Sequence, residues 1–157
     1  MALQSLLYIS ESAIELGKEQ TEIKRILATA HAFNPSVGIT GALVFTGTHF
    51  AQVIEGEEAA VSGLIASIAR DNRHAHLNIV TRDPLTTRRF PDWSMAYNGP
   101  SQFVSRHVTR LMNYPSPAES SRAADWLAEL LEQFSGFKGV AAQNLVDRPP
   151  VHRSWQP

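Results

Sequence analysis

Leu3 to Ile9 is a short apolar run interrupted by one aromatic hydroxyl, Tyr8, and predicts a buried strand. Ser10-Glu11-Ser12 reads as polar turn material that ends it. The period then changes. Ile23, Ile26, Leu27 and Ala30 recur at i, i+3, i+4 and i+7, one stripe of a helix. Asn34-Pro35 predicts its stop, because the residue before a proline is pushed out of the α region. Gly38 to Phe45 reads as a second strand, and Gly41 inside it signals a close backbone approach. Thr46-Gly47-Thr48 is a hairpin signal. Phe50 to Glu55 predicts the third strand, with Phe50, Gln52 and Ile54 on one side and Ala51 and Val53 on the other. A second helix opens at Gly56-Glu57-Glu58, carries Val61, Leu64, Ile65 and Ile68, and closes at Asp71-Asn72. Leu77 to Thr81 and Trp93 to Tyr97 predict two further strands, joined by a charged linker, Arg82 to Asp92, that holds Pro84 and Pro91.

The order βαββαββ predicts an α+β protein: a ferredoxin-like sheet with two helices on one face. After Gly99-Pro100 the pattern turns helical again. Ser101 caps a helix bearing Phe103, Val104, Val108, Leu111 and Met112, and Ser116-Pro117 opens another with Trp126, Leu127, Leu130, Leu131 and Phe134. The expected organisation is a domain over residues 1–98, an extension of two C-terminal helices over 99–136 and a mobile tail over 137–157.

Composition narrows the chemistry. The 157 residues are 43% hydrophobic and 18% charged, which excludes a wholly disordered chain. A formal charge of -1 removes the general electrostatic case for nucleic acid or an anionic membrane. There is no cysteine, so thiol catalysis, thiolate metal sites and disulfides are excluded. No apolar run is long enough for a membrane span, and the N-terminus has no charged region before its apolar stretch, so a cytoplasmic protein is the expectation. His74-Ala75-His76 is a weak metal pair without further ligands, and no metal is expected. Arg88-Arg89 reads as a solvated basic pair.

Two polar residues interrupt apolar strands: Tyr8 in the first and Gln52 in the third. A buried polar group without a partner costs about 1–3 kcal/mol. Taken singly, Tyr8 reads as a half-buried aromatic with its hydroxyl at an edge, and Gln52 as bonded to nearby backbone. Taken together, on one face below two helices, they read as a polar pair facing a ligand.

Gly38-Ile39-Thr40-Gly41, the run Phe50 to Gly56, Asp71-Asn72-Arg73-His74 and Trp93-Ser94-Met95 resemble, in order and spacing, the BLUF family of blue-light sensors that use FAD. The resemblance covers about Leu3 to Asn98. It implies a ferredoxin-like fold with the isoalloxazine ring between the two helices. Tyr8 stands at the family's photoactive tyrosine and Asn34 at its flavin-binding asparagine. Asn34, with an amide donor and acceptor, suits the ring's C4=O and N3–H. Gln52 reaches N5 or O4, and Ile26 and Ile68 sandwich the ring. Phe33, Phe50 and Ser67 complete the ring's surroundings. Asp71, Arg73 and His74 fall at the ribityl and phosphate end, although Asp71 also reads as a helix end and Arg73 as a solvated charge. Three positions depart from the family. Phe33 stands where a polar Asn or His is frequent, Ser67 where many members are basic, and Ala30 where a small polar residue is usual.

The resemblance also implies a reversible cycle. Light excites the flavin, Tyr8 gives an electron and a proton, and Gln52 rotates or tautomerises to donate a new hydrogen bond to O4, which shifts absorption to the red. No substrate is turned over, so no enzyme is expected. Signal leaves through the fifth strand, Trp93 and Met95, toward the C-terminal helices. With no output domain in this reading, the partner is a separate downstream signalling protein or a change of self-assembly. The broad apolar faces of the last two helices favour a homo-oligomer, or else they cover the open sheet face. The competing reading is a light-blind ferredoxin-like interaction module without flavin, supported by Phe33 and Ser67.

Overall fold

A computed structural model describes residues 2–98 and, beyond them, Arg106, Val108, Thr109, Asp125 and Glu129. The elements in chain order are β1 (Leu3–Ser12), α1 (Glu19–Ser36), β2 (Thr40–Phe45), β3 (His49–Glu57), α2 (Glu58–Arg70), β4 (His74–Leu85) and β5 (Trp93–Asn98). Among the described residues the strands form one five-stranded sheet in the order β4-β1-β3-β2-β5. The first four pair antiparallel, as a ferredoxin-like sheet requires, and β5 adds in parallel to β2 at the edge. The two C-terminal helices and the tail expected over 99–136 and 137–157 lie outside the described residues, apart from the five isolated positions named above.

The period-2 patterns of β1 and β3 decide the layers. Leu6, Tyr8, Leu43, Phe45, Phe50, Ile54 and Trp93 face one side of the sheet and pack with Ile23 of α1 and with Val61 and Ile65 of α2. Both helices therefore cover one face, as the periodicity predicts. The alternate residues Leu7, Ile9, Ala42, Val44, Ala51 and Val53 are also buried, and so is Val108 beyond β5. The sheet is thus covered on both faces.

Several boundaries differ from the sequence reading. β1 continues through Ser10 to Ser12, because its pairing with both β3 and β4 runs on past Ile9. Ser10 is consequently a buried strand residue rather than part of a turn. α1 passes through Pro35 to Ser36, so Asn34 stays helical. Pro35 sits in the last turn, where its missing N–H forfeits one bond at most, and Gly38 (φ +70°) reverses the chain just beyond. The carbonyl of Asn34 accepts from Val37 N and Ile39 N, which closes that helix end. β4 spans His74–Leu85, so the start of the expected linker, Pro84 included, is strand. The strand is at the sheet edge, where a residue without an N–H is tolerated.

Arg88 is not the solvated charge its composition suggests, whereas Arg89 is exposed and tied down through its backbone. The Arg88 guanidinium donates to Thr40 Oγ1 at 2.8 Å, to the Glu55 carbonyl at 3.0 Å and to the Gly38 carbonyl at 2.8 Å. The backbone N–H groups of Arg89 and Phe90 donate to the buried Glu55 carboxylate at 2.9 and 2.8 Å. Burial raises the Glu55 pKa, and these two N–H donors offset part of the rise. The segment after β4 is therefore fastened to β3 through backbone donors that no side-chain pattern displays.

Gly41 explains its own presence in β2. Its φ is +149°, and a Cβ there would collide with the Val53 carbonyl of the neighbouring strand. Gly41→Ala should therefore destabilise the protein by about 3 kcal/mol through strain and steric overlap. Urea unfolding of the two proteins measures this, and a loss below about 1 kcal/mol would contradict the close approach.

Candidate functional site: a cavity between two helices

Two helical stripes and the sheet floor enclose one cavity. Ile26, Thr29, Ala30 and Asn34 line it from α1, and Leu64, Ser67 and Ile68 from α2. These spacings of three and four residues put each set on one side of its helix. Tyr8, Leu43, Phe50, Gln52 and Trp93 form the floor, and Asp71, Arg73 and His74 close one end. The cavity volume is about 120 Å³. Asp71 and Arg73 also line a wider polar cleft, about 460 Å³, with Glu15, Lys18, Glu22 and Arg25. An apolar chamber therefore opens at its polar end into a charged surface groove.

The register of the sheet builds the centre of the floor. Tyr8 on β1 lies directly opposite Gln52 on β3. Their side chains project to the same face, and Tyr8 Oη donates to Gln52 Oε1 at 2.6 Å. Both are nearly inaccessible, at 1% and 4% exposure. Burial, with the Asp71 charge adding to it, pushes the Tyr8 phenol far above its ordinary pKa. Tyr8 is thus a neutral donor whose proton does not leave on its own at physiological pH. Gln52 also pairs with Leu43, which pairs in turn with Met95 on β5.

At the polar end, the Arg73 guanidinium grips the Asp71 carboxylate, with Nε at 3.0 Å from Oδ1 and Nη2 at 2.6 Å from Oδ2. This bond lowers the Asp71 pKa and raises that of Arg73. Arg73 Nη1 also lies 3.5 Å from Glu22 Oε2 on α1. His74 turns inward. Its Nδ1 is 2.7 Å from Ser10 Oγ, and its ring lies 4.4 Å from that of Phe50 and edge-on to Tyr8 at 6.0 Å. Burial lowers its pKa to about 4, so it is neutral at pH 7. His76 turns the other way, to Glu11 at 2.8 Å, so the two histidines share no site.

The residues expected from the sequence are therefore brought together with two exceptions, Phe33 and Met95. Tyr8, Ile26, Asn34, Phe50, Gln52, Ser67, Ile68, Asp71, Arg73, His74 and Trp93 all line the cavity. Phe33 does not: it is 47% exposed, one helical position away from the stripe that carries Asn34. Met95 packs beside the core rather than on the wall. Thr29 and Leu64 join the lining at three or four residues from Ile26 and Ile68, a spacing that marks them in the sequence. Ser10 leaves no such trace, because it reads there as turn.

The lining suits a flat heteroaromatic ring. Ile26, Leu64 and Ile68 are only partly buried, so their apolar surface faces the cavity without a protein partner covering it fully. Asn34 is 2% exposed and lines the same wall. Among the described residues the buried indole Nε1 of Trp93 has no hydrogen-bond partner, and an unmet buried donor costs about 1–3 kcal/mol. Apolar walls with a few edge donors and acceptors are what an isoalloxazine requires.

A ferredoxin-like sheet carrying such a chamber between its helices is the arrangement of a domain that can hold a flat cofactor. A sequence model of the BLUF family, described as sensors of blue light using FAD, matches residues 3–96, and the chain belongs to that family. Its members bind FAD. The chain is 30% identical over 93 residues to the photoactivated adenylate cyclase subunit beta of Euglena gracilis, covering 59% of this chain and 11% of that protein. It is 32% identical over 88 residues to the blue light- and temperature-regulated antirepressor BluF of Escherichia coli strain K12, covering 56% of this chain and 21% of that one. It thus spans about a tenth to a fifth of the length of these relatives. Among solved structures it is similar to BlrB, a BLUF protein in its dark state (TM-score 0.64, 30% identity, 86% of this chain and 97% of that one). It also shares the fold of BlsA in its photo-activated state (TM-score 0.67, 23% identity, 83% and 94% covered). Among the described residues no helix is long and apolar enough to cross a membrane.

The neutral His74 makes stability depend on pH. Its pKa is 6.5 when unfolded and about 4 when folded, so the unfolded chain takes up the proton first. The stabilisation is complete above pH 6.5 and is lost as pH falls toward 4. Urea melts at pH 7 and pH 4.5 should differ by roughly 2–3 kcal/mol more in the natural protein than in His74→Phe. Equal pH slopes in the two proteins would refute the buried, neutral imidazole.

Proposed function

We propose that this chain senses blue light through Tyr8 and Gln52, with FAD held in the cavity between α1 and α2. The observation that carries this is the buried Tyr8–Gln52 hydrogen bond of 2.6 Å in the cavity floor. Ile26 and Ile68 would hold the two faces of the ring, with Leu64 beside them. Asn34, Gln52 and Ser67 would serve its polar edge, and Asp71, Arg73 and His74 its ribityl and phosphate end. Once bound, FAD supplies a ring that absorbs blue light and, when excited, oxidises a neighbouring aromatic side chain.

The chain's own residues do the switching. Tyr8 is the buried phenol of the floor and gives up the electron. Its proton is held too tightly to leave alone, so it moves with the electron, and Gln52 Oε1 already accepts it at 2.6 Å. Gln52 carries an acceptor and a two-proton donor on one side chain. While Tyr8 donates to Oε1, that orientation is fixed. Loss of the proton releases it, and the amide rotates or tautomerises. Return of the electron and proton restores Tyr8 and leaves Gln52 rearranged, so nothing is consumed.

Output would pass from Gln52 through its cross-strand partner Leu43 to Met95 on β5, with Trp93 two residues away on the same strand. From there it would reach the extension over 99–136 and then a separate signalling protein or a second copy of the chain. The cyclase and antirepressor activities named for the relatives belong to much longer proteins. A cytoplasmic location and the division at residue 98 belong to the same proposal. Phe33, which supports the light-blind alternative by lacking a polar group, lies outside the cavity wall.

Tyr8→Phe and Gln52→Leu test the switch. Both should still bind flavin, since the apolar walls and Asn34 remain. Both should lose the red-shifted state under steady blue light, and Tyr8→Phe should also raise flavin fluorescence by removing the electron donor. A wild-type photoproduct from Gln52→Leu would overturn the glutamine switch. Ile68→Asp tests the placement of the ring. A carboxylate against an apolar face costs several kcal/mol, so flavin content on purification should fall at least tenfold. Normal loading would move the ring elsewhere.

A further inference from the structure

Ser10 is completely buried on β1, two residues from Tyr8 and on the same face. Among the described residues its hydroxyl has one side-chain partner, Nδ1 of His74 at 2.7 Å. Either tautomer of a neutral imidazole can make that bond, but the two are not equivalent. If Nδ1–H donates to Ser10 Oγ, the serine proton is buried without an acceptor, which costs about 1–3 kcal/mol. If Ser10 O–H donates to the bare Nδ1, the serine proton is used and the ring proton stays on Nε2. His74 lines the cavity, and with Nδ1 turned to Ser10 the Nε2–H is the ring's remaining polar group. The ring cannot turn freely to exchange its nitrogens, because Phe50 lies 4.4 Å from it on one side and Tyr8 meets it edge-on at 6.0 Å.

We propose that Ser10 is a positioning residue that donates to Nδ1 of His74, fixes the neutral Nε2–H tautomer, and so gives the polar end of the cavity a neutral N–H donor for an oxygen acceptor of the bound flavin's side chain. This rests on the reading that the cavity holds FAD. The consequence is a division of labour at that end. Arg73 is already engaged by Asp71, with Glu22 close by, so its charge is largely balanced within the protein. His74 is then the group left to offer an uncharged, directional donor. A free serine elsewhere on the strand would not do this; the β1 register that faces Tyr8 into the cavity also faces Ser10 at His74.

The test reads the tautomer directly. Long-range proton–nitrogen correlation spectra of the nitrogen-15-labelled protein, as purified, distinguish a protonated from a bare ring nitrogen. For the natural protein at pH 7 we expect His74 Nε2 protonated and Nδ1 bare. Protonation at Nδ1, or at both nitrogens, overturns the proposal without any variant. In Ser10→Ala the two shifts should move toward each other as tautomers mix, and the dissociation constant for FAD should rise about fivefold, the weight of one imperfectly oriented hydrogen bond. Ser10→Thr keeps the hydroxyl and should restore both values. An unchanged tautomer in Ser10→Ala shows that Ser10 does not fix it and overturns the proposal. Flavin content is read separately from absorbance: a colourless protein refutes the FAD reading, whereas a yellow one with the wrong tautomer refutes only the role of Ser10.

Discussion

The antiparallel pairing of β1 with β3 is the constraint from which the site follows. It sets Tyr8 opposite Gln52, Leu6 opposite Ile54 and Ser10 opposite Phe50, all on the face below the helices. A slip of β1 by one residue would turn Leu6, Tyr8 and Ser10 away and bring Leu7 and Ile9 under the helices. Because the other face is also apolar and buried, hydrophobicity alone distinguishes the two registers weakly. What distinguishes them is polar: Tyr8 and Gln52 satisfy each other only in this register, and Glu55 meets the Arg89 and Phe90 amides only from the opposite side. The buried polar groups thus specify the pairing while the apolar groups drive it.

Much of this was legible in the chain. The seven elements and both helical stripes follow from hydrophobic periodicity, and Tyr8 and Gln52 stand out as polar interruptions in apolar strands. What escaped was what depends on a partner. β4 looked short because an edge strand needs less apolar patterning and tolerates Pro84. Ser10 resembled a turn residue because its acceptor, His74, is sixty-four positions away. Arg88 looked like surface charge because its ties run to backbone carbonyls of Gly38 and Glu55, and the Arg89 backbone N–H that meets the Glu55 carboxylate shows in no side-chain pattern. Phe33 was drawn toward the site by adjacency to Asn34, although neighbours on a helix point about 100° apart.

The cavity also explains a tension in the fold. Ile26, Leu64 and Ile68 are left partly covered and Trp93 Nε1 is left without a partner. A protein selected only for stability would close such a chamber with larger side chains. An occupant that binds the folded state alone recovers the loss, since it stabilises by RT ln(1 + [L]/Kd), about 2.7 kcal/mol at a hundredfold excess over Kd. The unfinished packing is therefore the imprint of a ligand, and its two characters, apolar walls and scattered edge donors, match a ring that is flat and hydrophobic across its faces but polar at its rim.

Restraint is distributed unequally on the two sides of β3. On one side Glu55 holds the segment before β5 by backbone donors, Arg88 adds three further bonds to the same region, and Gly41 N donates to the Asp92 carbonyl at 3.1 Å. The backbone leading into β5 is thus fixed at several points. On the other side the Trp93 ring reaches the cavity with no hydrogen bond at its indole nitrogen, against the edge of His31 at 5.3 Å and 87°. Side-chain packing holds it there, and ring contacts of this kind contribute only about 0.5–1.5 kcal/mol. A switch needs a part that moves and a frame that does not. Near Gln52 the frame is the backbone tied to Glu55, and the weakly held part is the aromatic ring beside the cavity. A small change in hydrogen bonding at Gln52 is comparable in energy to what holds that ring, but far smaller than what holds the strand beneath it.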